Sequence, residues 1–176
     1  VVDVQQKHGT DTVALYAGNP NVHNYGSLTH GGLIRRALAT KNNFSATSLD
    51  QLPHHLVSYA MYGHQSLLPV PDIDHTKYML IIGGNPLASN GSIMTVPDVT
   101  KRLKAIQKRG GKFIVIDPRK TETAAIADHH HFIRPGSDAF LLMAMINTLF
   151  AENLVNTGHL SDVIDNLEQV KTAAAS

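Results

Sequence analysis

Short apolar segments alternate along the chain with longer segments in which apolar residues recur at helical spacing. Four of the short segments are rich in Val, Ile or Leu and are bounded by Gly, Pro or Asn: TVALYAG (12–18), KYMLIIGG (77–84), KFIVID (112–117) and, more weakly, HHFIRPG (130–136). Continuous apolar runs of this length are typical of strands that are buried on both faces, as in a parallel sheet. The pattern therefore predicts four strands of a mostly parallel sheet.

Two helices are predicted between the first two runs. Residues 27–40 (SLTHGGLIRRALAT) favour one helix, and residues 51–63 (QLPHHLVSYAMYG) favour a shorter one with Pro53 in its first turn. The side chains of the first helix expected to face inward are Leu33, Ile34, Ala37 and Leu38. Because strands alternate with helices, the predicted fold class is α/β, a Rossmann-like three-layer sandwich with a mostly parallel sheet.

A third helix is predicted over residues 95–111, where Val99, Leu103 and Ile106 share one face. Thr95 is expected to cap its beginning and Gly110 to end it. This helix would pack its apolar face on the sheet.

A fourth helix is predicted after Ser137, a candidate N-cap, and continues to Phe150. It is apolar nearly all round, which is typical of a helix surrounded by other protein. We therefore expect it in the interior, or against a partner domain that is absent from this segment.

The overall composition excludes several classes of function. The 176 residues carry 15 basic and 14 acidic side chains, a formal net charge of +1, so nothing favours a nucleic-acid or membrane surface. Cysteine is absent, which excludes disulfides, thiolate metal sites, iron–sulfur clusters and a thiol nucleophile from this segment. No apolar run approaches the length of a membrane span. Ligand binding must therefore depend on the local arrangement of side chains rather than on the overall charge of the chain.

The chemistry-bearing residues concentrate just after the predicted strands. In an open parallel sheet, ligands bind beyond the carboxyl ends of the strands. The four loops at these ends are AGNPNVHNYGS, GGNPLASNGS, DPRKTET and RPGSD, and each leads towards a predicted helix. Glycines, helix N-termini and a carboxylate together suit a nucleotide. Each loop taken alone is also ordinary turn and capping chemistry. Neither G-x-G-x-x-G nor a P-loop is present, which disfavours a nicotinamide-dependent dehydrogenase.

Three of these motifs together resemble a known family. GGNP at 83–86, IDPRKTETAAIAD at 116–128 and RPGSDAFLL at 134–142 are similar to the central region of the prokaryotic molybdopterin oxidoreductases, the dimethyl sulfoxide reductase family. The resemblance extends over residues 12–155. It implies that the parent protein is an enzyme, that this chain is a fragment of it, and that the fragment alone is inactive.

The resemblance implies a cofactor and a set of contacts. The cofactor would be bis-molybdopterin guanine dinucleotide carrying molybdenum or tungsten, and the parent would catalyse two-electron oxo transfer or dehydrogenation. The positions that match the family's guanine-dinucleotide contacts are Asn85, Asp117, Arg119, Gly136 and Asp138. A carboxylate can accept hydrogen bonds from guanine or ribose, and Arg can bridge phosphate.

The resemblance also implies one side chain that binds the metal, from the stretch NNFSATSLDQLP at 42–53. Asp50 is the first candidate for this metal and catalytic role, because the Leu-Pro pair that follows it after one residue resembles the aspartate-ligand branch of the family. A carboxylate is also a hard oxygen donor suited to high-valent molybdenum. The oxygens of Ser45, Thr47 and Ser48 are the alternatives. Asp50 could instead cap the helix that follows it.

Histidines are the remaining candidates for a catalytic or metal-binding role. His54 is the candidate catalytic proton-transfer group, although a histidine in a first helical turn is more often a solvated polar residue. The run HHH at 129–131 is interpreted as part of a strand rather than a metal site, because adjacent strand residues point to opposite faces.

The resemblance finally implies what surrounds the chain. Residues 1–176 are expected to form a single α/β fragment, or to contain parts of two interleaved domains with a break near 64–76. The partners would be the molybdopterin cofactor, the remaining domains of the parent chain, one of which carries a 4Fe-4S cluster, and an electron-transfer subunit. A cytoplasmic location is expected, with the periplasm left open. The alternative function is a non-catalytic nucleotide-binding or interaction module with the same α/β frame.

Overall fold

The computed structural model describes residues 1–90 and 96–175. The chain divides into two compact units, unit 1 over Val1–Pro69 and unit 2 from Val70 onward. The strands form two parallel sheets, one with two strands and one with three. The predicted α/β class with parallel sheets is therefore confirmed.

Unit 1 is built from three helices and two short strands. Its elements are α1 (Val2–His8), β1 (Leu15–Ala17), α2 (Tyr25–Leu38), β2 (Asn43–Ser45) and α3 (Leu52–Tyr62), with 3-10 turns at Thr10–Thr12, Asn19–His23 and Ala46–Ser48. β1 pairs in parallel with β2, so that Tyr16 lies opposite Phe44. The segment TVALYAG, which contains β1, thus pairs with β2, a strand that the hydrophobic pattern did not predict.

A buried threonine closes the loop between α2 and β2. Thr40 is buried, and its hydroxyl donates to the Val13 carbonyl oxygen at 2.6 Å and accepts from the Asn42 amide at 3.1 Å. Asp11 adds a further bond, because its Oδ1 accepts from the Lys41 amide at 2.8 Å. These bonds connect the segment before β1 with the segment before β2 and set the two strands side by side.

The predicted inward face of α2 is wrong for three of its four residues, because Leu33, Ile34 and Ala37 are exposed. Leu33 is 58% exposed and Ile34 is 56% exposed, and no residue of the helix is buried. The physical reason is the size of the sheet, since two strands of three residues offer little surface for a helix of 14 residues to cover. Only Leu38 among the four expected side chains is half-buried.

Unit 2 contains the larger sheet. Its elements are β3 (Tyr78–Ile82), α4 (Pro86–Ser89), α5 (Val99–Lys108), β4 (Lys112–Ile116), α6 (Glu122–Ile126), β5 (His129–His131), α7 (Asp138–Ala151) and α8 (Leu167–Ala175), with a 3-10 turn at Gly158–Leu160. The strands lie in the order β3-β4-β5, all parallel. Their carboxyl ends therefore share one edge of the sheet.

The core of unit 2 lies between α5 and β4. Leu103 and Ile106 of α5 and Phe113 and Val115 of β4 are completely buried, which confirms the predicted apolar face of α5. The chain turns tightly into β4 at Gly111, where an added Cβ would lie 2.8 Å from the Lys77 Cα. Only glycine fits this approach of two backbone segments.

The beginning of α5 differs from the predicted one. Thr95, the expected N-cap, lies outside the described residues, and Asp98 occupies the position before the first helical residue, Val99. Asp98 has a φ of 52° and makes no capping hydrogen bond with its side chain.

α7 packs against α8 but contains no buried residue. Phe140 is 77% exposed, and Leu142, Met145 and Leu149 are exposed as well. Of the two predicted environments for this helix, the interior of the chain is therefore wrong. None of the described helices is both long enough and apolar enough to cross a membrane.

Candidate functional site

The predicted contact residues of unit 2 follow the ends of three adjacent parallel strands. Asn85 comes after β3, Asp117 and Arg119 come after β4, and Gly136 and Asp138 come after β5. Because the strands are parallel and neighbouring, the segments that carry these residues leave the sheet at one edge. We call these five residues the carboxyl edge of unit 2.

Asn85 is engaged at both ends of its side chain. Its Oδ1 accepts from the Thr123 hydroxyl at 2.7 Å and from the Thr123 amide at 3.2 Å. Its Nδ2 donates to Glu122 Oε2 at 2.7 Å, and the Thr123 hydroxyl in turn accepts from the Leu87 amide at 3.1 Å. Thr123 is completely buried. Asn85 therefore ties the loop after β3 to the first turn of α6.

Asp117 is held in place at the tip of β4. It is 7% exposed, its amide donates to the His131 carbonyl oxygen at 3.1 Å, and its Oδ1 accepts from the Arg119 amide at 2.7 Å. His130 Nε2 lies 3.0 Å from the Asp117 carbonyl oxygen. Among the described residues, Oδ2 has no hydrogen-bond partner, so one carboxylate oxygen remains available to a donor.

Charged side chains extend from the same edge. Arg119 Nη2 lies 3.9 Å from Glu122 Oε2, and both side chains are exposed. The pKa of Glu122 lies below its usual value because its own backbone amide and the Asn85 side chain donate to the carboxylate, with Arg119 adding a favourable charge. Glu122 stays ionised at neutral pH and leaves most of the Arg119 guanidinium free to bind an anion.

The segment after β5 forms a tight turn into α7. Gly136 has a φ of 79°, a conformation that favours glycine, and the Ser137 hydroxyl donates to the Arg134 carbonyl oxygen at 2.5 Å. Ser137 precedes α7 as predicted but makes no capping hydrogen bond with its side chain. Asp138, the first residue of α7, is half-buried.

Unit 1 carries its own cleft, which opens where β1 and β2 end. It encloses about 390 Å³ and receives residues from both strand ends and from one side of α2. The lining residues are Ala17, Gly18, Asn21, Ser27, Leu28, Gly31, Gly32, Arg35, Ser45, Ala46, Thr47, Asp50 and Gln51. We call this space the unit 1 cleft.

Asp50 lines the unit 1 cleft with an exposed side chain. Its amide donates to the Ala46 carbonyl oxygen at 3.0 Å, which fixes the turn that presents it. The capping alternative is not observed, because α3 begins at Leu52 with Gln51 in the cap position and no capping bond from a side chain. Within the described part of the chain, the carboxylate of Asp50 has no hydrogen bond or ion pair and is free to bind a cation.

The other candidate metal ligands differ in position. Ser45 and Thr47 line the unit 1 cleft beside Asp50, whereas Ser48 does not. The Ser45 Oγ accepts from the Thr47 amide at 3.3 Å, which leaves its hydroxyl hydrogen available to a ligand.

His54 lines a second cavity and not the unit 1 cleft. This cavity of about 260 Å³ is mostly apolar, and its other lining residues are Pro53, Val57, Ser58, Met61, Tyr62, Leu68 and Pro69. His54 and Asp50 therefore line different cavities. His55 is turned to another partner, with its Nδ1 at 2.8 Å from the Gln65 carbonyl oxygen.

The histidines of β5 follow the alternation of a strand. The rings of His129 and His131 stack with their centroids 6.3 Å apart, while His130 contacts Phe132 edge-on. No group of three or more His, Cys, Asp or Glu side chains that could hold a metal occurs in residues 1–90 and 96–175.

Several residues of these sites were missed by the sequence patterns. In the unit 1 cleft they are Gly31, Gly32 and Arg35, and next to the carboxyl edge they are Glu122 and Thr123. The signal for the first group was a pair of adjacent glycines inside a helical segment, which is unfavourable without a local reason. Glu122 and Thr123 lie in the loop DPRKTET, but their individual roles could not be recognised there because they depend on contact with Asn85.

Comparison with known proteins gives a family and a fold. The family model described as "Molybdopterin oxidoreductase" matches residues 1–175. The assimilatory nitrate reductase catalytic subunit of Bacillus subtilis (strain 168) is 30% identical over 97% of this chain and 23% of that protein. Formate dehydrogenase H of Escherichia coli (strain K12) is 25% identical over 96% of this chain and 23% of that protein.

A solved structure shares the fold of the chain. The acetylene hydratase from Pelobacter acetylenicus superposes with a TM-score of 0.67 at 24% identity, over 99% of this chain and 23% of that one. The chain thus spans less than a quarter of the length of each of these three proteins.

Proposed function

Because the chain belongs to the molybdopterin oxidoreductase family, we propose that it is the cofactor-binding portion of a longer molybdenum-dependent oxidoreductase. The parent would catalyse two-electron oxo transfer or dehydrogenation at bis-molybdopterin guanine dinucleotide, with molybdenum or tungsten as the metal. One observation carries the proposal: the family match extends over residues 1–175. The candidate residues also follow the carboxyl ends of parallel strands in both units.

The carboxyl edge of unit 2 would hold the guanosine end of the cofactor. Asp117 keeps one carboxylate oxygen available, which can accept from a guanine amine or a ribose hydroxyl. The exposed Arg119 guanidinium would bind phosphate, and the backbone at Gly136 allows close approach before Asp138 begins α7. Asn85 would act mainly by positioning the loop after β3, since both ends of its side chain are already bonded.

The unit 1 cleft would receive the metal end of the cofactor. Asp50 supplies an unpaired carboxylate there, and a hard oxygen donor suits molybdenum in its higher oxidation states. His54 would act as a proton-transfer group only if a path connects its apolar cavity with the metal, because it does not line the cleft. The cofactor, when bound, supplies the two-electron chemistry, while the chain's own residues bind and orient it.

The rest of the parent would complete the electron path. We infer a domain with a 4Fe-4S cluster elsewhere in the parent and an electron-transfer subunit as its partner. The two units described above, which meet at residues 69 and 70 along the chain, would belong to two interleaved domains of the parent.

The test is the nucleotide content of the purified parent. Acid hydrolysis of the full-length protein should release about two guanosine monophosphates per molybdenum or tungsten atom, as the composition of a bis-guanine dinucleotide cofactor requires. Asp117→Ala should lower both the nucleotide and the metal content, since it removes the carboxylate that would hold guanosine. Glu152→Ala is the matched control, because Glu152 is an exposed carboxylate beyond the end of α7.

Two results would contradict the proposal. A parent protein that contains the metal but releases no guanosine monophosphate would exclude the dinucleotide form of the cofactor. A wild-type parent without metal would favour the alternative, a non-catalytic nucleotide-binding or interaction module.

A further inference from the structure

Two histidines of β5 lie side by side on one face of the sheet. Alternate residues of a strand point to the same face, so His129 and His131 share a face and His130 points to the other. The rings of His129 and His131 stack with their centroids 6.3 Å apart and an angle of 19° between the ring planes. The alternation therefore excludes a metal site made of all three histidines but brings two of them together.

These two side chains lie on the face of the sheet that α5 does not cover. In the parallel register, His131 lies beside Ile116 of β4, whereas Val115 points to the opposite face and belongs to the core that β4 shares with α5. β5 is the end strand of its sheet, and both His129 and His131 are exposed. An ion in solution can therefore reach both rings in this chain.

The ring nitrogens of both histidines are available to a ligand. Among the described residues, neither ring makes a hydrogen bond or a salt bridge. His130 differs, because its Nε2 lies 3.0 Å from the Asp117 carbonyl oxygen. A neutral imidazole nitrogen is a common protein ligand for zinc and copper ions. The fold thus uses His130 and leaves the nitrogens of His129 and His131 free to bind a metal.

The separation of the two rings is close to the value that one metal ion requires. Metal–nitrogen bonds of about 2 Å place the centroids of two imidazoles on one tetrahedral ion about 5 Å apart. The observed separation of 6.3 Å exceeds this value by about 1 Å. Small rotations about the side-chain bonds close this difference, and the exposure of both side chains leaves room for them.

We propose that His129 and His131 form a two-ligand site for a divalent transition-metal ion, with Cu²⁺ bound more tightly than Zn²⁺. This order follows the general affinities of nitrogen ligands for the two ions. Water completes the coordination, since no group of three or more His, Cys, Asp or Glu side chains that could hold a metal occurs in the part of the chain that the structure describes. Neither histidine belongs to the carboxyl edge or lines the unit 1 cleft, so the inference does not depend on the proposed function.

The experiment titrates the full-length parent with Cu²⁺ and records electron paramagnetic resonance spectra of the oxidised protein. A chelator first removes loosely held metal, and the molybdenum and tungsten content is measured on each preparation. Wild type is compared with His129→Gln, His131→Gln, the double variant and His159→Gln. His159 is the matched control, because it is an exposed histidine of unit 2 that makes no hydrogen bond or salt bridge with another described residue.

The difference between the spectra of the wild type and the double variant should show splitting from two imidazole nitrogens. Loss of a group that only supports a metal ligand costs about 10- to 100-fold in metal affinity, so loss of either histidine should raise the Cu²⁺ dissociation constant about tenfold or more. The double variant should bind little more weakly than either single variant, because the two ligands act together. His159→Gln should match the wild type, and Zn²⁺ should displace Cu²⁺ only when it is in excess.

His129→Cys separates loss of a ligand from a disturbance of the strand. A cysteine thiolate is a zinc ligand, so this variant should bind Zn²⁺ in isothermal titration calorimetry where His129→Gln does not. A disturbed strand would impair both variants alike, and Zn²⁺ binding equally weak in the two would contradict the site.

Three results of the Cu²⁺ titration would overturn the inference. Equal Cu²⁺ binding by the wild type and the double variant would remove the site. A weakened affinity in only one of the two single variants would reduce it to a single histidine. An equal loss of affinity in His159→Gln would indicate unspecific binding to exposed imidazoles. A wild type that binds Cu²⁺ through both histidines but contains no molybdenum or tungsten would contradict the proposed function and leave this inference intact.

Discussion

The bond between Asn85 and Thr123 should contribute measurably to the stability of unit 2. Asn85→Ala removes the acceptor of both the Thr123 hydroxyl, at 2.7 Å, and the Thr123 amide, at 3.2 Å. Thr123 is completely buried, so water does not readily replace the lost acceptor. A buried donor left without a partner costs about 1–3 kcal/mol. The hydroxyl can still turn to another acceptor, and we therefore expect a total loss of about 2–4 kcal/mol.

A double-mutant cycle isolates this interaction. Thr123→Val removes the hydroxyl and leaves the Leu87 amide without its acceptor, and the double variant removes both partners. Residues in direct contact through a hydrogen-bond network couple by about 0.5–3 kcal/mol, and we expect about 1–2 kcal/mol for this pair. Ser89→Ala in the neighbouring helix α4 is the control, because its exposed hydroxyl makes only a 3.3 Å bond to the Asn85 carbonyl oxygen.

Native-state hydrogen exchange is the suitable assay, because the chain contains two units and need not unfold in a single transition. The amides of Phe113 and Val115 in β4 report the opening of unit 2 alone. The reasoning would be refuted by a change below about 0.5 kcal/mol in Asn85→Ala, or by additive effects in the double variant. A small change would mean that the Asn85 side chain is not required by the fold, and additive effects would mean that its contribution does not depend on Thr123.

Two further predictions concern the frame around the sites. Gly111→Ala should destabilise unit 2 strongly in urea unfolding, because the added Cβ would lie 2.8 Å from the Lys77 Cα. Gly32→Ala should instead stabilise α2 by up to about 1 kcal/mol. Equal effects of the two substitutions on the free energy of unfolding would contradict this prediction. Asp128→Asn tests a pH dependence. The pKa of Asp128 lies below its usual value because the Phe113 amide donates to the carboxylate at 2.8 Å. The charge therefore stabilises the fold above the ordinary aspartate pKa, and this contribution disappears as the pH falls through the lowered value. The melting temperatures of wild type and variant should converge in acid, and a difference that stays constant from neutral to acid pH would argue against this bond.

The elements with long apolar patterns could be predicted from the sequence. The runs that became β3 and β4 are continuous and bounded by turn residues, and α5 has three buried residues at helical spacing. β2 could not be predicted in this way, because it has three exposed residues and exists only through its pairing with β1. The exposed Leu33 and Ile34 mark the reverse error, since an apolar pattern shows which face prefers burial but not whether a neighbour covers it.

The candidate sites show the same limit. The strand ends of unit 2 could be located from their motifs, because parallel strands bring the following loops to one edge. The bonds of Asn85 could not, because its partners lie 37 and 38 residues further along the chain. The position of Arg35 in the unit 1 cleft depends on how α2 lies against the end of β2, which no local pattern records.

The central claim is that this chain holds a metal cofactor and that Asp50 binds its metal. The most direct measurement is the molybdenum and tungsten content of the full-length parent, purified from its own host, in wild type and in Asp50→Ala. Asp3→Ala, which changes an exposed carboxylate in the first turn of α1, is the matched control. The account predicts metal in the wild type and the control and a loss or altered coordination of metal in Asp50→Ala. Unchanged metal in Asp50→Ala would move the ligand to Ser45 or Thr47, and no metal in any of the three proteins would contradict the account as a whole.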